Sequence, residues 1–193
     1  MTLSGSKDHL LGYVRSLSHW CGDIIGLNWQ MRGLSQECGG YFSALRNLQS
    51  LTLFNFKVEH IGEEGLRTYF SAFRETLTYL FLDMFSTPFS AFVALVDYFP
   101  NIRTLHLRLL VLEPDEGPIP TLSRPLRGKV HIGCVQVCCS EFSNLFSKLD
   151  LEYEELVVET PGHFMGTEYL RSALQLSPST VKFLRLMDQF RRE

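Results

Sequence analysis

Apolar and polar positions along the chain fall into two alternating periods. In the first, two apolar residues flank a single residue, and this doublet recurs seven times: Ile25/Leu27, Leu51/Leu53, Leu80/Leu82, Leu105/Leu107, Val130/Ile132, Leu156/Val158 and Leu184/Leu186. The steps between first members are 26, 29, 25, 25, 26 and 28 residues. Alternation of period two predicts a short strand with one buried face at each doublet. In five copies a further apolar residue stands three positions ahead: Leu48, Leu77, Ile102, Tyr153 and Val181. It is expected to pack the turn that leads into the strand.

Between doublets the period becomes helical. Leu66, Tyr69, Phe70, Phe73 and Leu77 make one apolar stripe, Phe89, Phe92, Val93, Val96 and Phe99 a second, and Phe142, Leu145, Phe146 and Leu149 a third. Thr87-Pro88 predicts an N-cap with a first-turn proline, and Pro100 ends that helix. Ser140 is a cap for the third, and Ser177-Pro178 ends a last helix. Between Leu107 and Val130 the helix gives way to Glu113-Pro114-Asp115-Glu116-Gly117-Pro118-Ile119-Pro120 and then Arg124-Pro125, which predicts an extended loop.

A strand–turn–helix unit has one apolar face that it cannot bury alone, and stacking neighbours buries it. The expected fold is therefore α/β: about seven irregular repeats in a horseshoe arc, parallel strands on the concave face and helices on the convex face. Strands about 4.8 Å apart give an arc of roughly 30 Å. Residues 1–193 read as one domain. After the last doublet come only Met187 to Glu193, so the chain is expected to be part of a longer protein, or capped by a partner.

Residues flanking the buried doublets face the concave side in three columns. The central column is Gly26, Thr52, Phe81, His106, His131, Val157 and Arg185. The column before it is Ile24, Ser50, Tyr79, Thr104, Lys129, Glu155 and Phe183. The column after it is Asn28, Phe54, Asp83, Arg108, Gly133, Glu159 and Met187. Aromatic and arginine side chains are the usual anchors of interfaces. The candidate partner-binding surface is therefore Phe54, Tyr79, Phe81, Asp83, His106, Arg108, Lys129, His131, Glu155, Glu159 and Arg185.

Composition narrows the function. The balance of 18 basic and 21 acidic residues gives −3, and no basic surface for nucleic acid follows; the densest basic cluster is Arg124, Arg127 and Lys129. The 5 cysteines are an odd number, with Cys134, Cys138 and Cys139 crowded together, which fits a reducing compartment and small apolar packing at a turn. Lys7, Asp8 and His9 interrupt any secretory leader, and no stretch is long and apolar enough to span a membrane. The expected location is cytoplasmic or nuclear.

The Leu-x-x-Leu-x-Leu units with long helices resemble the leucine-rich-repeat superfamily. More narrowly, the chain is similar to the repeat region of fungal (mushroom-type) F-box-like proteins. The likeness is carried by Phe99-Pro100-Asn101-Ile102-Arg103-Thr104-Leu105-His106-Leu107 and by Pro118-x-Pro120-x-Leu122-Ser123-Arg124-Pro125-Leu126-Arg127-Gly128-Lys129. The resemblance implies an arc that selects protein substrates for a ubiquitin ligase. It does not extend to the F-box: before Ile25 the apolar positions are Leu10, Leu11, Val14 and Leu17, enough for one helix, so docking to a cullin-ligase adaptor stays open. The asparagine that typical repeats place after the doublet is replaced by Gln30, Phe56, Phe85, Leu110, Val135, Pro161 and Gln189, so no asparagine ladder is expected to bridge the turns.

Catalytic signals are weak. His106 and His131 fall on neighbouring strands about 5 Å apart, with Asp83 diagonal to them. As a metal-dependent centre they lack a fourth ligand. No phosphate-binding loop, serine-nucleophile elbow or His-Glu-x-x-His motif occurs. The expectation is a non-enzymatic interaction module with no cofactor and no metal, binding a protein or peptide on its concave face. A metal enzyme centred on Asp83, His106 and His131, or a fragment without independent function, are the alternatives.

Overall fold

The computed structural model describes residues 2–3, 24–29, 42–54, 63–83, 86–109, 111–113, 121–133, 151–160 and 183–188. Its strands are β1 (Thr2–Leu3), β2 (Gly26–Trp29), β3 (Ser50–Phe54), β4 (Tyr79–Asp83), β5 (Ser86–Pro88), β6 (Thr104–Arg108), β7 (Val111–Glu113), β8 (Leu126–Gly133), β9 (Leu151–Thr160) and β10 (Phe183–Asp188). The helices among the described residues are α1 (Glu63–Phe70), extended by a 3-10 turn at Ser71–Phe73, and α2 (Phe89–Tyr98).

The chain is α/β, with an open parallel sheet and few helices. Eight strands join in the order β1-β2-β3-β4-β6-β8-β9-β10, and every pairing is parallel. From β3 onward the doublets fall in register: Leu51, Leu80, Leu105, Val130, Leu156 and Leu184 align, as do Leu53, Leu82, Leu107, Ile132, Val158 and Leu186. Parallel strands need a crossover between them, and the helical stripes supply it at two places.

The core lies between the sheet and the helices. Leu51, Leu53, Leu80 and Leu82 are fully buried, together with Leu66, Phe70, Phe73, Phe92 and Phe99. Phe42, Phe70, Phe73 and Phe99 form a run of rings. Phe73 stacks on Phe99 with centroids 6.0 Å apart, and Phe70 lies 5.7 Å from both Phe42 and Phe99. Leu48, Leu77 and Ile102, the residues ahead of the doublets, are buried as their spacing predicts.

Two sets of hydrogen bonds tie each turn to the one before. In the first, a single carbonyl at the foot of one strand serves the next strand. Ile25 O accepts from Gln49 N and Ser50 N, Gln49 O from Thr78 N and Tyr79 N, and Thr78 O from Arg103 N and Thr104 N, all at 2.8–3.0 Å. Arg103 O accepts from Lys129 N at 2.8 Å. In the second, side chains cross the turns. Thr76 Oγ1 donates to Leu48 O at 2.8 Å, Asn101 Nδ2 to Glu75 O at 2.7 Å, and Arg124 Nη1 to Pro100 O. The turns that lead into the strands are thus bridged by side chains, one of them asparagine. The positions where the sequence lacks asparagine lie outside the described residues.

Several expectations are corrected. Ile25 lies outside β2 and is 61% exposed. Leu27 aligns with Leu51 and Trp29 with Leu53, so the first doublet is Leu27/Trp29, two residues later than its spacing suggested. Gly26 and Asn28 each move one column, Gly26 opposite Ser50 and Asn28 opposite Thr52. An additional strand, β1, pairs Thr2 with Asn28 and Leu3 with Trp29. Pro88, not Thr87, precedes the first helical residue of α2, and no side chain caps that helix. Ser86–Pro88 instead pairs with Val111–Glu113 as a small second parallel sheet. Between Leu107 and Val130 the described residues hold no helix, while residues 114–120 lie outside them. So do the helix expected over Phe142–Leu149, Cys134, Cys138, Cys139 and Ser177-Pro178.

Candidate functional site

On each central strand, residues alternate between the helix-covered core and the opposite face. In β3, β4 and β6 the doublet residues are buried and their neighbours are half-buried, save that Asp83 is buried too. Register then sets the neighbours on the opposite face. Phe81, His106 and His131 stand on consecutive strands at one level, Tyr79, Thr104, Lys129 and Glu155 one level below, and Phe54, Asp83, Arg108, Gly133 and Glu159 one level above.

The middle level is a stack of flat rings. Phe81 lies 4.0 Å from His106 with planes 9° apart, and His106 lies 3.8 Å from His131 with planes 5° apart. The strands beneath are about 4.8 Å apart, so the rings lean together to reach contact. The Tyr79 hydroxyl lies 3.4 Å from Nδ1 of His106. Burial holds the Tyr79 phenol above its ordinary range.

Charges flank the rings in pairs. Arg108 donates from Nε to Asp83 Oδ1 at 2.9 Å and from Nη2 to Oδ2, a two-pronged bond. The same guanidinium lies 5.5 Å from the centre of the Phe81 ring. The Asp83 side chain is 3% exposed and that of Arg108 41%, so the arginine screens a buried carboxylate. Below the rings, Lys129 Nζ lies 3.0 Å from Glu155 Oε1.

The structure therefore brings Tyr79, Phe81, Asp83, His106, Arg108, Lys129, His131 and Glu155 together on one face, with half-buried Phe54 beside Asp83 in register. Glu159 and Arg185 hold register positions on β9 and β10, opposite Gly133 and Val157, and their side chains lie outside the described residues. Both oxygens of Asp83 accept from Arg108. Among the described residues no group of three His, Cys, Asp or Glu is placed to hold a metal ion. Among them, too, no helix is long and apolar enough to cross a membrane.

Asp83 and Arg108 stand on neighbouring strands, as the columns predict, but they bond each other, where the columns predict two groups open to a partner. Opposite charges directly across two strands were the available signal for a pair. Asn28 stands level with Thr52 and not with Phe54, and its Oδ1 is buried with no hydrogen-bond partner among the described residues. Comparison with known proteins returns no match: no protein-family model, no curated protein and no solved structure matches the chain.

Proposed function

We propose that the chain is a leucine-rich-repeat solenoid and that the face opposite its helices binds a protein or peptide. The observation that carries this reading is the Phe81–His106–His131 stack bordered by the Arg108–Asp83 and Lys129–Glu155 pairs. It offers aromatic and arginine anchors whose rotamers are held before any partner arrives, which lowers the ordering cost of binding. The recurrence of doublets in register and of one carbonyl serving the next strand supports the repeat architecture. A role as substrate selector for a ubiquitin ligase, in the cytoplasm or nucleus, rests on the likeness of residues 99–107 and 118–129 to F-box-like repeats.

Reversing Arg108 is a poor test, since it would strand the buried Asp83. Thr52 and Thr104 lie on the same face, half-buried, and Thr104 stands between Tyr79 and Lys129 in register. Peptides selected from a random display library on the wild-type chain are expected to lose binding to the Thr52→Arg/Thr104→Arg variant, with an unchanged melting temperature. Selected peptides that bind this variant as well as the wild type would refute the assignment of the face.

A further inference from the structure

On the helix-covered side, away from the ring stack, α1 and the end of α2 border a groove of about 720 Å³. Arg67, Ser71 and Arg74 follow one another along one wall at intervals of four and three residues, hence on one side of the helix and its 3-10 extension. The facing wall carries Asp97 and Tyr98. Arg74 is held in place: its Nε donates to Tyr98 O at 3.0 Å, its guanidinium lies 5.3 Å over the Tyr98 ring, and Nη1 meets Glu75 at 3.5 Å.

The acidic groups of the groove are engaged. Glu75 shares Arg74, and Asp97 Oδ1 accepts from Ser123 N at 3.0 Å and from the Ser123 hydroxyl at 2.7 Å. Burial raises the Tyr98 phenol, Arg74 and Arg67 draw it down, and Glu75 adds a smaller push upward, so both guanidinium groups and one carboxylate stand within electrostatic reach of its hydroxyl. Two guanidinium groups and two hydroxyls thus line one groove, beside the carboxylates of Glu75 and Asp97. A dianion with three terminal oxygens can use several such donors at once, and arginine suits phosphate because its N–H groups fork to two oxygens. The volume falls in the range of small-molecule sites and exceeds what a bare phosphate fills.

We propose that this groove binds a phosphomonoester carried on an aromatic or apolar body, with the phosphate at Arg67, Ser71 and Arg74. Phenyl phosphate, titrated calorimetrically into the full chain at low salt, is the probe; N-acetyl-phosphotyrosine amide and adenosine monophosphate, run in parallel, separate a peptide source from a nucleotide source. Wild type is expected to bind one equivalent saturably, with benzoate weaker and phenol not binding. Ser71→Asp places a carboxylate between the arginines at an exposed position and is expected to weaken phenyl phosphate binding at least about tenfold. If that variant fails to fold, Arg67→Gln carries the same expectation. Absence of saturable binding in the wild type, equal binding of phenol, or unchanged affinity in the folded variant overturns the proposal.

Discussion

The imidazole of His106 lies face to face with that of His131, ring centroids 3.8 Å apart and planes 5° from parallel. Contact this close between neighbours on a sheet is an energetic statement as well as a geometric one. Aromatic pairs in contact contribute about 0.5–1.5 kcal/mol beyond the area they bury, offset and edge-to-face arrangements more than face-to-face ones. A double-mutant cycle over His106→Ala and His131→Ala, read by urea denaturation, is expected to give a coupling energy in that range. Additive single effects would mean that the rings are adjacent without stabilising one another.

The Asp83–Arg108 pair predicts an asymmetry. Its carboxylate is almost fully enclosed and its guanidinium is partly in water. Arg108→Ala leaves a buried charge unmatched and is expected to cost about 2 kcal/mol, less than a wholly buried pair because solvent reaches the arginine. Asp83→Ala lets the arginine turn to water and is expected to cost about 1 kcal/mol. Equilibrium unfolding of the two variants checks the order; equal losses would contradict it.

Gly128 predicts the sharpest single-residue effect. Its φ is +118°, and a Cβ there would lie 2.2 Å from the carbonyl oxygen of Arg103. That carbonyl already accepts the amide of Lys129. Just beyond, the register of β8 and β9 shifts by one residue between Gly128 and Lys129. Gly128→Ala is expected to lower stability by about 3 kcal/mol, through an unfavourable backbone conformation and a contact with main chain that cannot yield. A melting temperature equal to that of the wild type would show that the irregular step in β8 relaxes to admit the methyl group.

Alkaline titration supplies a further test. The Tyr79 phenol is raised by burial above its ordinary value of 10.0. The folded chain then holds this proton more tightly than the unfolded chain, so stability is fully present below that value and is lost as pH rises through the folded one. Unfolding free energy is expected to fall above about pH 10, and Tyr79→Phe is expected to flatten part of that fall. Tyr98 is raised as well, so Tyr79→Phe/Tyr98→Phe is expected to flatten it further. An identical slope in wild type and both variants would exclude the effect.

The strands from Ser50 onward and the helical stripes at Leu66–Phe73 and Phe89–Phe99 were legible because burial imposes periods of 2 and 3.6 directly on the residues. The first strand misled the pattern because Leu27 belongs to two overlapping doublets, Ile25/Leu27 and Leu27/Trp29. What decides between them is that Ile25 O serves Gln49 and Ser50, a backbone bond that leaves no mark on side-chain type. The pairing of Ser86–Pro88 with Val111–Glu113 was hidden for a similar reason: Thr87-Pro88 carries a helix-start signature, and the second strand is only three residues long. Of the candidate face, the positions were readable from column arithmetic. The stacking of its rings was not, since it depends on rotamers and on strands close enough for the rings to lean together.

Because a carbonyl at the foot of one strand takes two amide hydrogens from the next, the alignment of neighbours is settled where a strand begins and not by the length of the path between them. Leu27 to Leu51 takes 24 residues and Leu51 to Leu80 takes 29, yet both steps land in the same register. Insertions and deletions can therefore accumulate on the helical side as outward excursions while every ring keeps its neighbour. Length variation and surface chemistry are free to diverge independently in such a chain.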